Sequence, residues 1–146
     1  MEVSPGMERL RKTADELIEE ARALIAPRFS PHGAYEAMEF GEAMIIDIRP
    51  YEQQVRDGLI PGAVLVDTNV FEFRCDPAQP DEYRNPDVVP GNYNQCLIVL
   101  CNQGYQSSLK AANLRHLGLH NATDVKGGME AWIVAGLPVE PYSNQS

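Results

Sequence analysis

The sequence predicts an α/β domain, a mostly parallel sheet with helices on both faces. Short apolar, β-rich runs at 43–48, 64–66, 96–100 and 122–125 alternate with segments of helical periodicity. One of these runs ends at a cysteine, passes through a glycine-bearing loop and opens a helix, the usual punctuation of α/β proteins. At 146 residues and 44% hydrophobic content, the chain suits one domain with a sizeable core.

Taken in order, residues 1–6 read as a loose terminus. From Met7, the positions Leu10, Ala14, Leu17, Ile18, Ala21, Leu24 and Ile25 follow helical spacing, and Pro27 stops the helix. Residues 1–29 are therefore expected to form a helical extension packed on the domain, with a homodimer seam as the alternative. The apolar stripe is too short for a sustained heptad, which favours packing within the chain. Residues 30–140 are expected to form the domain itself. Ser30 and Pro31 read as N-cap and first helical residue, and Gly41 ends that helix. The strand at 43–48 carries Asp47 and leads to Arg49, a pair that reads more readily as a clamp around Pro50 than as catalytic groups. Residues 52–57 suit one or two helical turns, 64–66 a short strand, and 68–74 a helix capped by Thr68 or Asn69. Residues 75–94 hold four prolines and read as a long loop. After the strand at 96–100 a helix opens at Ser107, buries Leu109, Ala112 and Leu117, and stops at Gly118. A last strand at 122–125 and a helix at 128–135 precede a tail, 141–146, that is expected to fray.

Composition narrows the function. A net charge of −9 argues against nucleic acid and anionic membrane surfaces as partners. There is no apolar run long enough to cross a bilayer. The first residues lack a basic start followed by an apolar stretch, so no signal peptide is expected. Three cysteines, an odd number without disulfide-like spacing, favour a reducing compartment such as the cytoplasm. His116 and His120 straddle Gly118, so the histidines form no ligand cluster, and neither metal nor cofactor is expected.

The chemistry points to Cys101. A cysteine at the end of a buried strand, facing the backbone N–H groups of residues 102–107 and a helix N-terminus, is favoured as thiolate. Gly104 permits positive φ, so successive N–H groups can converge on one point. On the loop alone, Cys101 merely ending a strand explains it as well.

The loop Cys101-Asn102-Gln103-Gly104-Tyr105-Gln106-Ser107 resembles the active-site loop of rhodanese-type sulfurtransferases, with the nucleophile first. Upstream, Asp47-Ile48-Arg49-Pro50 with Glu52, and Gly58-Leu59-Ile60-Pro61-Gly62-Ala63, resemble that family's D-x-R…E…G-H-I-P-G-A segment. Leu59 replaces the usual histidine, and the spacer is longer by about a residue. Downstream, Gly127-Gly128-Met129-Glu130-Ala131-Trp132 and Gly136-Leu137-Pro138-Val139 resemble the closing G-G-x-x-A-W…G-x-P-V. The resemblance implies a single-domain rhodanese-like fold with a five-stranded sheet. It also implies sulfane-sulfur transfer from thiosulfate or a related persulfide to a thiol or cyanide-like acceptor, through a Cys101 persulfide. Residues Asn102, Gln103, Gly104, Tyr105, Gln106 and Ser107 would surround the sulfur, with the Ser107 hydroxyl in reach of it.

Many active members carry arginine or lysine in this loop, and here there is none. Each missing charge-assisted hydrogen bond costs a dianionic donor about 1.5–3 kcal/mol, roughly tenfold to a hundredfold in affinity. Arg74 and Lys110 are candidates to replace that charge. Cys75 in the loop and Cys96 in the strand are possible resolving thiols, with Cys96 the more inert. A phosphatase is disfavoured because position 107 is serine where the C-x5-R clamp requires arginine. The remaining alternative is a non-catalytic recognition or persulfide-sensing module on the same fold.

Overall fold

Apolar residues on alternate sides of two central strands give the chain a core on each face of its sheet. The computed structural model describes residues 10–143. Strands β1 (Met44–Asp47), β2 (Val64–Leu65), β3 (Leu97–Leu100) and β4 (Thr123–Asp124) form one sheet of order β2-β1-β3-β4, every pairing parallel. The register sets Ile45 opposite Ile98 and Asp47 opposite Leu100. Ile46, Leu97 and Val99 join one buried cluster; Ile45, Ile98 and Leu100 join the other. That split is the period-two alternation of a strand covered on both faces. Each fully buried Ile or Leu in these strands contributes on the order of 1.5–3 kcal/mol.

Helices α1 (Ala14–Ile25), α4 (Phe71–Cys75) and α5 (Gln106–His116) cover the first face, through Ala21, Ile25, Phe71, Ala111 and Leu114. Helices α2 (Pro31–Glu39) and α6 (Gly128–Val134) cover the second, through Ala34, Ala37, Met129 and Trp132. The short helix α3 (Tyr51–Asp57) follows β1. Ser30 caps α2 through the Gly33 N–H, with Pro31 in the first turn, as the sequence suggests.

Several boundaries differ from expectation for local reasons. The expected single helix is interrupted: Leu10 is helical, residues 11–13 are not, and α1 opens at Ala14, where Thr13 and Glu16 form a reciprocal capping box; Met7 lies outside the described residues. The turn after β2 is capped by Asp67, which accepts from the Asn69 N–H, and a 3-10 turn (Thr68–Val70) precedes α4. Helix α1 packs on α5 and the core through Ala21 and Ile25, while Leu17 and Leu24 stay partly exposed, and the homodimer seam through this helix finds no support. Tyr142 packs edge-to-face on Tyr51 with ring centres 5.3 Å apart.

The sheet has four strands where five were expected. Phe29 makes a single parallel bridge to Val125, donating to the Asp124 carbonyl and accepting from the Lys126 N–H. The next donors needed to extend that ladder, two residues to either side, belong to Pro27 and Pro31, which have no N–H. The would-be edge strand therefore stops at one residue.

The clamp reading of Asp47 and Arg49 describes what forms. Both side chains are fully buried and paired at 2.7 Å, and Arg49 also donates to the Gly58 carbonyl at 2.8 Å. This fixes the turn after β1 to the end of α3. In the proline-rich segment, Arg84 donates to the carbonyls of Gln79 and Val88, while Val88 enters the core.

Candidate active site at the end of the third strand

Strand β3 carries the chain through the buried centre of the sheet and releases it at Cys101, whose residue is 7% exposed. The following loop turns at Gly104, φ +87°, a conformation that costs an L side chain energy. That turn brings the Gly104 N–H to 3.1 Å and the Ser107 N–H to 3.3 Å from Cys101 Sγ. Helix α5 begins at Gln106, so its free N-terminal amides and the positive end of its dipole lie beside the sulfur. The loop is a concave set of donors suited to a sulfur anion.

Helix α6 holds the loop from the other side. The Met129 N–H donates to the Cys101 carbonyl at 2.8 Å and the Glu130 N–H to that of Asn102 at 3.1 Å. The Glu130 carboxylate also accepts from the amides of Asn102 and Gln103, at 3.1 and 3.0 Å. Those two side chains are thus tethered to a carboxylate.

A cavity of about 290 Å³ opens at Cys101. Asn102, Gln103, Tyr105 and Gln106 line it from the loop, and Ile48, Arg49, Pro50, Gln53 and Thr68 from the β1 and β2 connections. Gly104 and Ser107 serve the sulfur through their N–H groups. The Ser107 hydroxyl does not face the sulfur: it lies 2.7 Å from Asp124 Oδ2, fully buried. Three buried side-chain oxygens without a hydrogen-bond partner, Gln53 Oε1, Thr68 Oγ1 and Asn102 Oδ1, all belong to residues around this cavity.

Neither cation nominated from the sequence is brought to the cavity. Arg74 donates to the Tyr83 carbonyl at 2.8 Å and lines a separate groove with Val70, Phe73, Gln79 and Tyr83. Lys110 is paired with Glu72 at 2.9 Å, over the ring of Phe71. The guanidinium groups that reach the loop are Arg22, at the C-terminal end of α1, and Arg28. Arg22 Nη2 donates to the Gly104 carbonyl at 2.8 Å, and its Nε reaches Ser108 Oγ at 3.2 Å. It also lies 5.3 Å from the centre of the Tyr105 ring. Arg28 pairs with the buried Asp124 at 2.7 Å and reaches the same Gly104 carbonyl at 3.3 Å. Sequence reasoning missed both, because periodicity separates a polar face from an apolar one without saying what the polar face meets.

The other two cysteines are unlike Cys101. Cys75 is fully buried, and desolvation together with the charge of Glu72 pushes its thiol up to about 12. Burial also raises Cys96, against a smaller opposing effect of Arg115. Both are protonated near neutrality and poorly suited to resolve a persulfide. Among the described residues, no group of three or more His, Cys, Asp or Glu side chains is placed to hold a metal ion, and no helix is long and apolar enough to cross a membrane.

The rhodanese-like domain family matches residues 30–135. Over 111 residues the chain is 28% identical to a thiosulfate sulfurtransferase of Glaesserella parasuis, covering 76% of this chain and 90% of that one. Over 91 residues it is 33% identical to an adenylyltransferase and sulfurtransferase of Lodderomyces elongisporus, covering 62% of this chain but only 19% of that larger protein. Among solved structures, a Rhodopseudomonas palustris protein of unknown function, described as a possible tyrosine phosphatase, superposes with TM-score 0.77 at 26% identity, covering 96% of this chain and 99% of that one. The polysulfide-sulfur transferase of Wolinella succinogenes shares the fold, with TM-score 0.69 at 19% identity and 97% of each chain covered.

Proposed function

The chain belongs to the rhodanese-like domain family, and from that premise we propose that it is a sulfurtransferase working through a persulfide on Cys101. The observation that carries this reading is the pair of backbone N–H groups on Cys101 Sγ at the mouth of a cavity. The Cys101 thiolate attacks the outer sulfur of a donor R–S–SH. A new S–S bond forms, the donor's S–S bond breaks, and R–S⁻ departs with the bonding pair. An acceptor thiolate then attacks the outer sulfur, and Cys101 leaves as thiolate. No net oxidation occurs, and the loop amides hold the anionic sulfur on both sides of the cycle.

The donor in this reading is a persulfide of low charge rather than thiosulfate. The loop carries no cationic side chain. Arg49 in the cavity wall is committed to Asp47, and Ile48, Pro50 and Tyr105 supply apolar surface. Thiosulfate therefore meets amide dipoles alone near the sulfur, at a cost of roughly tenfold to a hundredfold in affinity. Three free thiols suit a reducing compartment, and the cytoplasm is the location this reading assigns.

Mass spectrometry after donor treatment provides the test. One sulfur atom is expected on Cys101, none on Cys101→Ser, and faster loading from a singly charged alkyl persulfide than from dianionic thiosulfate. A low-micromolar KM for thiosulfate overturns the choice of donor. A Cys101 that takes up no sulfur from either class overturns the enzyme and leaves a recognition or sensing module. The phosphatase description attached to one structural relative does not transfer: Ser107 stands where the phosphate-clamping arginine belongs, with its side chain sealed against Asp124.

A further inference from the structure

The Gly104 carbonyl sits at the crown of the loop, pointing away from the sulfur's donors, and draws an unusual concentration of positive charge. Arg22 Nη2 approaches it at 2.8 Å and Arg28 Nη2 at 3.3 Å, while Ser108 Oγ lies 3.1 Å away. Both arginines come from outside the family match, which begins at residue 30. We propose that Arg22 is a positioning residue for the Cys101 loop and that, with Arg28, it completes from the N-terminal extension a site that the matched domain leaves unfinished.

The physical argument starts from the peptide bond. The Gly104–Tyr105 peptide is trans and planar, so its C=O and N–H point in opposite directions. Anchoring the carbonyl outward on two guanidinium groups turns the Tyr105 N–H inward, onto the side where the Gly104 and Ser107 N–H groups already meet Cys101 Sγ. The outer sulfur of a persulfide, one bond further out, is the atom this third N–H serves. Arg22 fixes a cavity wall as well, since its guanidinium lies over the Tyr105 ring that lines the cavity.

The charges around the loop come from several elements. Arg28 pairs with Asp124 from β4, and Arg22 binds Ser108 Oγ and the Gly104 carbonyl; Arg49 and Asp47 neutralise each other beside the cavity; Glu130 of α6 holds the Asn102 and Gln103 amides. Formal charge therefore balances at the site, and the expected role of Arg22 is to orient a dipole rather than to supply bulk positive potential. This inference rests on the sulfur-transfer reading for its consequence, but its geometry concerns Cys101 alone.

Two readouts on the full chain test it. In Arg22→Gln, single-turnover loading of Cys101 by an alkyl persulfide is expected to slow about ten- to a hundredfold, the loss of one charge-assisted hydrogen bond. Alkylation of Cys101 by iodoacetamide at fixed pH is expected to slow as well. Arg22→Lys, which keeps the charge but not the two-point grip on Gly104 and Ser108, is expected to lie between them. Unchanged rates in Arg22→Gln overturn the proposal. So does a loss of rate that only tracks the unfolded fraction in a parallel melting curve, or full recovery in Arg22→Lys. If wild type takes up no sulfur while Arg22→Gln still slows alkylation, the proposed function fails and this inference stands. If wild type loads and the variant loads and alkylates equally fast, the inference fails alone.

Discussion

Cys75 and Cys101 belong to the same buried cluster, and the difference between them shows what the loop adds to burial. Cys101 Sγ has two amide donors, whereas desolvation and Glu72 push the Cys75 thiol up to about 12 from an ordinary value near 9. A folded-state value above the unfolded one means that the fold favours the neutral thiol. Its contribution is complete below about pH 9 and disappears as pH rises toward 12. Unfolding free energy should therefore fall above pH 9, with a slope from this residue of up to ~1.4 kcal/mol per unit. Urea midpoints across that range should show a shallower slope in Cys75→Ala than in wild type; equal slopes would mean the thiol ionises normally. At neutral pH, peptide mapping after brief alkylation should find label on Cys101 well ahead of Cys75 and Cys96.

At the scale of elements, the loop is an interface between α5, α6 and α1, and α6 makes the closest approach. A Cβ built on Gly128 would collide with the Cys101 carbonyl oxygen and lie 2.6 Å from that of Asn102, and the Gly128 φ is +60°. Both neighbours are backbone, so α6 would have to withdraw and give up the Met129 and Glu130 hydrogen bonds to the loop. Gly128→Ala is expected to destabilise the fold by roughly 2–4 kcal/mol and to slow sulfur loading beyond that loss. Chemical denaturation and single-turnover loading measure the two effects separately. This also explains which parts of the site were legible in the sequence. The strand, Cys101, Gly104 and the opening of α5 are contiguous, so local rules bring them together. Arg22 and Arg28 meet the loop across separations of 82 and 76 residues, and no local signal reports such a meeting. Arg74 illustrates the converse, since chain order suggested a reach toward the sulfur and the guanidinium instead satisfies the Tyr83 carbonyl nine residues away. The missing fifth strand was legible in principle, because Pro27 and Pro31 flank Phe29 at the two positions where a parallel ladder needs its next donors.

Over the whole molecule, 21 acidic residues against 12 basic ones leave a net charge of −9, while at the loop Arg28 and Arg49 are paired with Asp124 and Asp47 and the remaining Arg22 and Glu130 are of opposite sign. An anionic donor approaching Cys101 therefore meets a repulsive field from the rest of the surface, with no formal excess of positive charge at the mouth to offset it. Salt screens such a field, with a Debye length of about 30 Å at 0.01 M falling to about 10 Å at 0.1 M. The KM for thiosulfate, a dianion, is thus expected to fall by a factor of about two to three across that range, while loading from a singly charged alkyl persulfide changes less. The opposite trend, a thiosulfate KM that rises with salt, would mean that Arg22 and Arg28 project positive potential past Asp124 into the cavity. Repeating the salt series in Arg28→Gln separates the two cases. If the global field governs, losing Arg28 deepens the penalty at low salt and leaves the direction of the trend unchanged; if the guanidinium groups govern, the trend reverses.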